Sequence, residues 1–438
     1  ACTAPSALTA QSTGRIAYST YTLSNGLRVV FSRDHSTPIV TVNVWYHVGS
    51  ANERPRRSGF AHLFEHMMFQ GSANVRKAEH FQLIERAGGQ MNGSTTEDRT
   101  NYYETLPSNR LNLALWLEAD RMRSLAVTDS NFENQRQAVK EERRLRIDNQ
   151  PYVRYVIEGF TLPFDSTTCF AYAHTVIGDM ADLDSARLED VQAFFDAYYR
   201  PSNAVLTVVG DFDEAEARRL IEQYFGDIPP GTRAADPPCD HTPGRGERRL
   251  TVTDPNANLP AVVMVYTAPP RNHADAPALE LLTTILGQGE SSRLNRRLVR
   301  QDQAALGAGA IAQFRRGSSV SLFFGITNQG VSAERLESLL NDELARLATD
   351  SGRITEDELV KAQNQYRVNT IRSRQTTMGV AEALQSALRF HGDLEAVNTE
   401  LQRYLAVTLA DLQRVAREYL RPANRLTLVI NPPAGRDE

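Results

Sequence analysis

Residues 62–66 of this 438-residue chain read His-Leu-Phe-Glu-His, and no other stretch carries as much chemical content. On a helix, at about 100° per residue, His62 and His66 share one face about 40° apart, and Glu65 lies about 60° to the other side of His62. Two imidazoles at this spacing suit one tetrahedral zinc ion. Glu65 is placed to accept a proton from a water molecule at that metal. These five residues alone leave a metal site and a structural histidine pair as open alternatives.

A third ligand must come from elsewhere in the chain. Catalytic zinc sites use three protein ligands and keep a fourth position for water or substrate. The helix predicted over 131–147 carries two candidates, Glu141 and Glu142. The residues alone do not choose between these neighbours, because a Glu in a charged run is usually a solvated helix face.

Composition limits the kinds of protein to which this chain can belong. Apolar content of 41% and charged content of 23% are typical of globular proteins, and the length predicts two domains. A net charge of −5 argues against a nucleic-acid partner. No apolar stretch approaches the roughly 18 residues of a membrane-spanning helix, so we expect no transmembrane segment.

The N-terminus and the three cysteines bear on the compartment. Residues 1–14 are expected to form a flexible lead, and a start without Met indicates processing or trimming. This favours export to a bacterial periplasm, with the cytoplasm as the alternative. Cys2 next to such a start could carry a lipid. For Cys169 and Cys239, a single bridge and two free thiols both stay open.

An internal repeat supports two domains. Residues 190–209 and 411–430 share identical residues at seven positions with a constant offset of 221, and both read as an amphipathic helix, a Pro-broken turn and a β-branched strand. A repeat this long indicates a duplicated domain. We place the first domain at 15–228, a Pro/Gly-rich linker at 229–246 and the second domain at 247–438.

Each predicted domain begins with strands and continues with helices. The strands are predicted at 21–33 with a turn at Asn25-Gly26, at 39–48, at 249–254 and at 261–267; the helices at 59–70, 77–87, 109–123, 131–147 and 185–199. This order predicts an α+β fold in which each domain is a mainly antiparallel sheet covered by helices.

Together these features resemble one family. His-x-x-Glu-His with a Glu about 75 residues downstream resembles the inverted zinc motif of the M16 metallopeptidases (pitrilysin, insulysin, mitochondrial processing peptidase). The segments 49–53, 59–61, 69–72 and 88–102 also look like that family. The duplication, the length and the Tyr-Tyr-Arg-Pro-Ser-Asn turn resemble the shorter two-domain branch, M16B. The resemblance implies two domains that close around a chamber.

The resemblance also implies a role for each motif residue. His62, His66 and Glu142 would bind one Zn²⁺ per chain, with Glu142 favoured over Glu141 by the family pattern. Glu65 would be the general base that activates water. Family members usually have an acid where this chain has Gln135, which can orient a ligand by hydrogen bonding but adds no charge.

Substrate binding is expected on the segment 88–107, which can form an edge strand between two helices. A peptide docks on such an edge through main-chain hydrogen bonds. The resemblance assigns this role to Asn92, Gly93, Ser94 and Thr95, with the Asn92 amide near the scissile bond. The alternative is an ordinary turn and strand.

The second domain departs from the family pattern. Family members commonly supply an Arg and a Tyr, seven residues apart, to grip substrate and stabilise the oxyanion. An ungapped match places Val299 and Leu306 there, and a shift of one residue gives Arg300 and Gly307. The counterpart of residues 62–66, at 278–282, has no zinc ligands. We therefore expect a hetero-oligomer in which a related M16B subunit supplies the Arg/Tyr pair.

Three functions follow from these observations. The leading one is a zinc endopeptidase subunit that hydrolyses peptides or unfolded segments. The alternative is a non-catalytic structural subunit of a larger complex, like the respiratory-complex core proteins. A zinc-stabilised binding module is weaker, because structural zinc sites are usually closed by four, often Cys-rich, ligands.

Overall fold

The computed structural model describes residues 14–232, 235–239, 246–347, 349 and 352–434. The expected lead, apart from Gly14, and Cys2 lie outside these residues. The strands are β1 (Ser19–Thr22), β2 (Arg28–Arg33), β3 (Ile39–Tyr46), β4 (Gln90–Thr95), β5 (Thr100–Pro107), β6 (Ala204–Gly210), β7 (Arg248–Thr253), β8 (Ala261–Ala268), β9 (Ala305–Gln313), β10 (Ser319–Thr327) and β11 (Arg425–Asn431). The helices are α1 (Phe60–Met67), α2 (Glu79–Arg86), α3 (Leu111–Ser124), α4 (Asp129–Arg143), α5 (Val153–Gly159), α6 (Met180–Ser185), α7 (Leu188–Tyr198), α8 (Glu214–Phe225), α9 (Ala276–Gly287), α10 (Ala333–Arg346), α11 (Glu356–Ser373), α12 (Thr377–Ser386), α13 (Ala396–Leu405) and α14 (Leu409–Tyr419).

The strands form two sheets of matching topology. The first has the order β1-β2-β6-β3-β5-β4 and the second β7-β11-β8-β10-β9. In each sheet one pair is parallel, β2 with β6 and β7 with β11, and the other pairs are antiparallel. The pairs α7/α14 and β6/β11 keep the repeat offset of the sequence. The predicted α+β fold with two duplicated domains is therefore confirmed.

The central strands of both sheets are buried on both faces, and each half covers part of the other. β6 and β8 are buried at every position, which requires a layer on each side. Helix α12 of the second half packs on the first sheet, where Gln385 Nε2 donates to Val205 O at 2.9 Å. Segment 152–173 of the first half packs on the second sheet. The two halves thus exchange covering segments.

Several local predictions need correction. Segment 88–107 contains the expected edge strand, β4, but it is a hairpin whose second strand, β5, lies inside the sheet. The helix predicted over 185–199 begins at Leu188, because Asp190 accepts a hydrogen bond from the Arg187 amide at 3.1 Å and fixes the helix start. The helix predicted over 131–147 ends at Arg143 and continues as a wider turn, Arg144–Asp148.

Two further expectations concern the cysteines and the membrane. Cys169 and Cys239 form a disulfide, which settles the alternative that the sequence left open. Over the described parts of the chain, none of the helices has both the length and the apolar character needed to cross a bilayer.

Candidate metal centre

Helix α1, which carries the two histidines, is held at its N-terminus and along its apolar face. Gly59 starts α1 with φ of 86°, a left-handed conformation that favours glycine. The Glu53 carboxylate accepts hydrogen bonds from the Gly59 and Ala61 amides, each at 2.8 Å. The apolar face of α1, including Leu63 and Phe64, is fully buried in the first core. This packing leaves His62 and His66 on the open face.

Glu142 on α4 lies against both imidazoles. Its Oε2 is 3.2 Å from His66 Nε2 and 3.6 Å from His62 Nε2. One ligand atom from each of the three residues lies within 4.8 Å of the others. Arg146 donates to the second carboxylate oxygen, Oε1, at 2.6 Å, which fixes the orientation of the carboxylate. The three side chains therefore converge on one point.

The charge states of these side chains suit a divalent metal. Burial, followed by the nearby His66, lowers the pKa of His62 to about 4, so its imidazole is neutral near pH 7 and offers a lone pair. The hydrogen bond from His66, with the charges around it, lowers the pKa of Glu142 and keeps it ionised. Two imidazoles and one carboxylate form the donor set of a catalytic zinc site. The residues present therefore fit a zinc ion.

Glu65 lies beside the ligands and is held from the opposite side of the cleft. Thr95 Oγ1 on β4 donates to Glu65 Oε2 at 2.7 Å. Burial raises the pKa of Glu65, and this hydrogen bond offsets part of the rise. Gly93 leaves room for the side chain, since a Cβ there would lie 3.2 Å from Glu65 Cγ. A carboxylate with a raised pKa suits both taking up and returning a proton.

Residues of the edge strand β4 contact two different sets of neighbours. Gly93 and Thr95 face Glu65, whereas Ser94 Oγ donates to Asn101 Oδ1 at 2.7 Å. Asn92 Oδ1 accepts a hydrogen bond from the Gly93 amide at 2.9 Å. All four predicted substrate residues line the same cavity of about 1010 Å³ as His62, His66 and Glu142. The edge strand β4 therefore lines the cavity beside His62, His66 and Glu142.

Other predicted residues do not join the cluster of His62, His66 and Glu142. Glu141 is 56% exposed and pairs with Arg144 at 3.1 Å. Gln135 is buried and its amide donates to Asn134 Oδ1 at 2.7 Å, not to a ligand. In the second half, Val299 packs against the core and Leu306 is 60% exposed at the start of β9.

The structure also adds residues that the sequence reading missed. Arg146 lies one helical turn after Glu142, so the spacing alone could have found it. Gln313 of the second half reaches the cavity, with Nε2 donating to Glu97 at 2.9 Å and Oε1 accepting from Arg315 at 2.8 Å. No local pattern marks Gln313, because it depends on how the two halves meet.

Two family descriptions and a related protein match most of this chain. The profile described as insulinase (peptidase family M16) matches residues 28–157, and the one described as peptidase M16 inactive domain matches 185–366. The zinc protease PqqE of Helicobacter pylori is 32% identical over 414 residues, covering 94% of this chain and 92% of PqqE.

Solved structures match the fold over most of the chain. The crystal structure of a protease from Helicobacter pylori has a TM-score of 0.89 and 31% identity, and the match covers 95% of this chain and all of that one. The periplasmic protease PqqL from Escherichia coli has a TM-score of 0.75 at 18% identity. That match covers 94% of this chain but 47% of PqqL.

Proposed function

Since the chain belongs to the M16 peptidase family, whose related chains include zinc proteases, we propose that it is the metal-bearing subunit of a zinc endopeptidase. The observation that carries the proposal is the convergence of His62, His66 and Glu142 in one cavity, with Glu65 beside them. Its substrates would be peptides or unfolded segments.

The chemistry divides between the metal and the protein. Zinc at this site would supply Lewis-acid polarisation of a peptide carbonyl and lower the pKa of water. Glu65 would accept the proton of the attacking water and return it to the leaving amine, a cycle that its raised pKa favours. Thr95 would hold the Glu65 carboxylate in place between these steps.

The substrate class follows from the shape of the cavity. The edge of β4 offers main-chain donors and acceptors to an extended strand, which binds without reading sequence. A cavity of about 1010 Å³ admits a peptide strand and excludes a folded domain. Asn92, Gly93, Ser94 and Thr95 would line this docking edge.

We also propose that the active enzyme needs a partner. The positions expected to hold Arg and Tyr are Val299, which is partly buried against the core, and Leu306, which is exposed and apolar. An oxyanion donor is worth roughly 3–4 kcal/mol in the transition state. The PqqL chain is about twice the span matched here, so it has room for a second such unit. A related M16B subunit would supply the missing pair to this chain.

The proposed compartment is the periplasm, with the cytoplasm as the alternative. Disulfides such as Cys169–Cys239 persist in oxidising compartments, which supports export. The similarity to a periplasmic protease points the same way.

A structural role is the second candidate. It is favoured by the match of residues 185–366 to the profile of an inactive domain. Intact ligands at His62, His66 and Glu142 weigh against it, because a structural subunit does not need them.

One experiment separates these functions. Bound zinc is measured first, and cleavage of a fluorogenic peptide library is then compared for the wild type and Glu65→Gln, each alone and with the candidate partner. Zinc retained and cleavage lost in Glu65→Gln supports the peptidase. A wild type that cleaves nothing under any condition supports the structural role, and equal cleavage with and without the partner refutes the partner requirement.

A further inference from the structure

Residues 169–179, which we term the strap, include the end of the segment that covers the second sheet (152–173) and lead to the start of α6. The strap begins at Cys169, which is bonded to Cys239 of the linker. Its later residues, including Thr175 and Ile177, line the cavity of the metal centre. The strap is therefore a wall of the cavity that is bonded to the linker, and its Tyr172 hydroxyl also accepts a hydrogen bond from the Gly317 amide of the second half at 2.9 Å.

Both ring nitrogens of His174, in the strap, lie within hydrogen-bond distance of oxygen atoms. Nδ1 is 2.8 Å from Phe170 O, and Nε2 is 2.9 Å from both Ser50 O and Glu53 Oε2. When Glu53 is ionised, all of these oxygens accept, so both nitrogens donate and the ring is an imidazolium. Burial raises the pKa of Glu53, and the contacts with His174 and with the Gly59 and Ala61 amides offset part of that rise. Burial lowers the pKa of His174, but the hydrogen bond and charge of Glu53 outweigh it and the net pKa is raised.

Glu53 connects His174 to the start of helix α1, which carries His62 and His66. Its side chain is fully buried. Besides His174, it accepts hydrogen bonds from the Gly59 and Ala61 amides at the start of α1. A negative charge at a helix N-terminus is stabilising because the unpaired amides there carry partial positive charge. The imidazolium in turn compensates a carboxylate that would otherwise be buried with only neutral partners.

The other end of the strap contacts the helix that carries Glu142. Arg143 on α4 donates to Gly178 O. The Asp179 amide donates to Ser58 Oγ at 2.9 Å, directly before α1. Gly178 approaches Gly59 so closely that a Cβ on Gly178 would lie 2.4 Å from Gly59 Cα. The strap thus touches both ligand-bearing helices.

From these contacts we infer that His174 is a positioning residue: as one half of a buried ion pair, it holds the start of α1 against the strap and sets the distance from His62 and His66 to Glu142. The inference rests on the proposed zinc site, because the quantity that it controls is metal affinity. Residues that orient ligands from outside the coordination sphere typically change metal affinity by about 10–100-fold when altered.

The test compares His174→Phe with a matched control. Phenylalanine keeps the stacking on Phe170, whose ring centroid lies 4.3 Å away, and removes both donors. His35→Phe is the control, since His35 also pairs with a carboxylate, Asp211 at 2.6 Å, but lines a separate depression. Zinc affinity is measured by chelator competition, and hydrogen exchange of residues 54–68 is measured in the metal-free protein.

We expect His174→Phe to weaken zinc binding by about 10-fold or more and to speed exchange in α1, with α14 unchanged as an internal reference. His35→Phe should alter neither. Glu53→Gln, which keeps the size but loses the charge, should act in the same direction and serves if His174→Phe does not fold. Zinc affinity within twofold of wild type together with unchanged exchange in α1 would overturn the inference.

The two proposals fail in different ways. A wild type that binds no zinc refutes the proposed function, whereas the exchange measurement still tests the strap. A wild type that binds zinc and cleaves peptide, alongside a His174→Phe variant that does so equally well, refutes only the role of His174.

Discussion

Gly93→Ala tests how closely the edge strand holds the general base. An alanine Cβ at this position would lie 3.1 Å from Asn101 O, 3.2 Å from Glu65 Cγ and 3.2 Å from Tyr102 Cδ1. These distances fall about 0.2–0.3 Å short of ordinary contact, which begins near 3.4 Å. Asn101 O belongs to the backbone and Tyr102 is fully buried, so the Glu65 side chain is the atom group that yields.

The size of the effect follows from that displacement. Misplacing a catalytic group by about 1 Å costs about a hundredfold in rate, so a shift of about 0.2–0.3 Å should lower kcat by about 2.5- to 4-fold, or about 0.5–0.8 kcal/mol. KM should change little, because the main-chain groups of β4 that dock the peptide are kept. Zinc affinity should also be retained, since none of the three ligands moves.

Gly307→Ala is the matched control for this prediction. Gly307 lies on β9, the corresponding edge strand of the second sheet, and a Cβ there meets nothing within 4 Å. Steady-state cleavage by both variants, assayed with the partner present, gives kcat and KM. A Gly93→Ala enzyme with wild-type kcat, or an equal loss in Gly307→Ala, would refute the reasoning.

Three further predictions concern the ligands and the buried charges. Glu142→Gln should weaken zinc binding by about 10-fold or more, while Glu141→Gln stays within about twofold in chelator competition; equal effects would contradict the assignment. Burial and the Arg121 charge lower the pKa of His80 to about 3, whereas the unfolded chain titrates near 6.5. Below pH 6.5 the unfolded state therefore binds a proton that folded His80 does not, which lowers the free energy of unfolding by up to about 1.4 kcal/mol per pH unit. Urea unfolding at pH 7 and pH 5 should show that His80→Leu loses less stability between these two pH values than the wild type. An equal loss in both proteins would refute this prediction. Arg121→Met should destabilise the fold by about 3–5 kcal/mol, because it leaves the Glu118 carboxylate fully buried without its partner; a urea-derived loss below about 1 kcal/mol would exclude this.

Features set by local pattern could be predicted from the sequence. The repeat around Tyr198 and Tyr419 recurs as equivalent helices and central strands, because identical turn residues select the same backbone path. The face shared by His62 and His66 follows from helical geometry alone. Both predictions rest on contacts between neighbours in sequence.

Features set by distant contacts could not be predicted. Glu141 and Glu142 differ in the structure because α4 turns Glu142 towards α1 and leaves Glu141 in solvent, and this rotation depends on packing. The exchange of covering segments also has no local signal, since an amphipathic helix such as α12 does not record which sheet it will cover. Gln313 reaches the cavity for the same reason.

The exchange of covering segments has a consequence for how the chain acquires its structure. During synthesis the first sheet is complete once β6 has emerged, but the apolar cluster around Val30, Val205 and Val209 on one of its faces is completed mainly by residues from α12 onwards. Almost 170 further residues must be made before that apolar face is closed. A first half without the second would therefore leave part of this apolar face exposed, as a folding intermediate does.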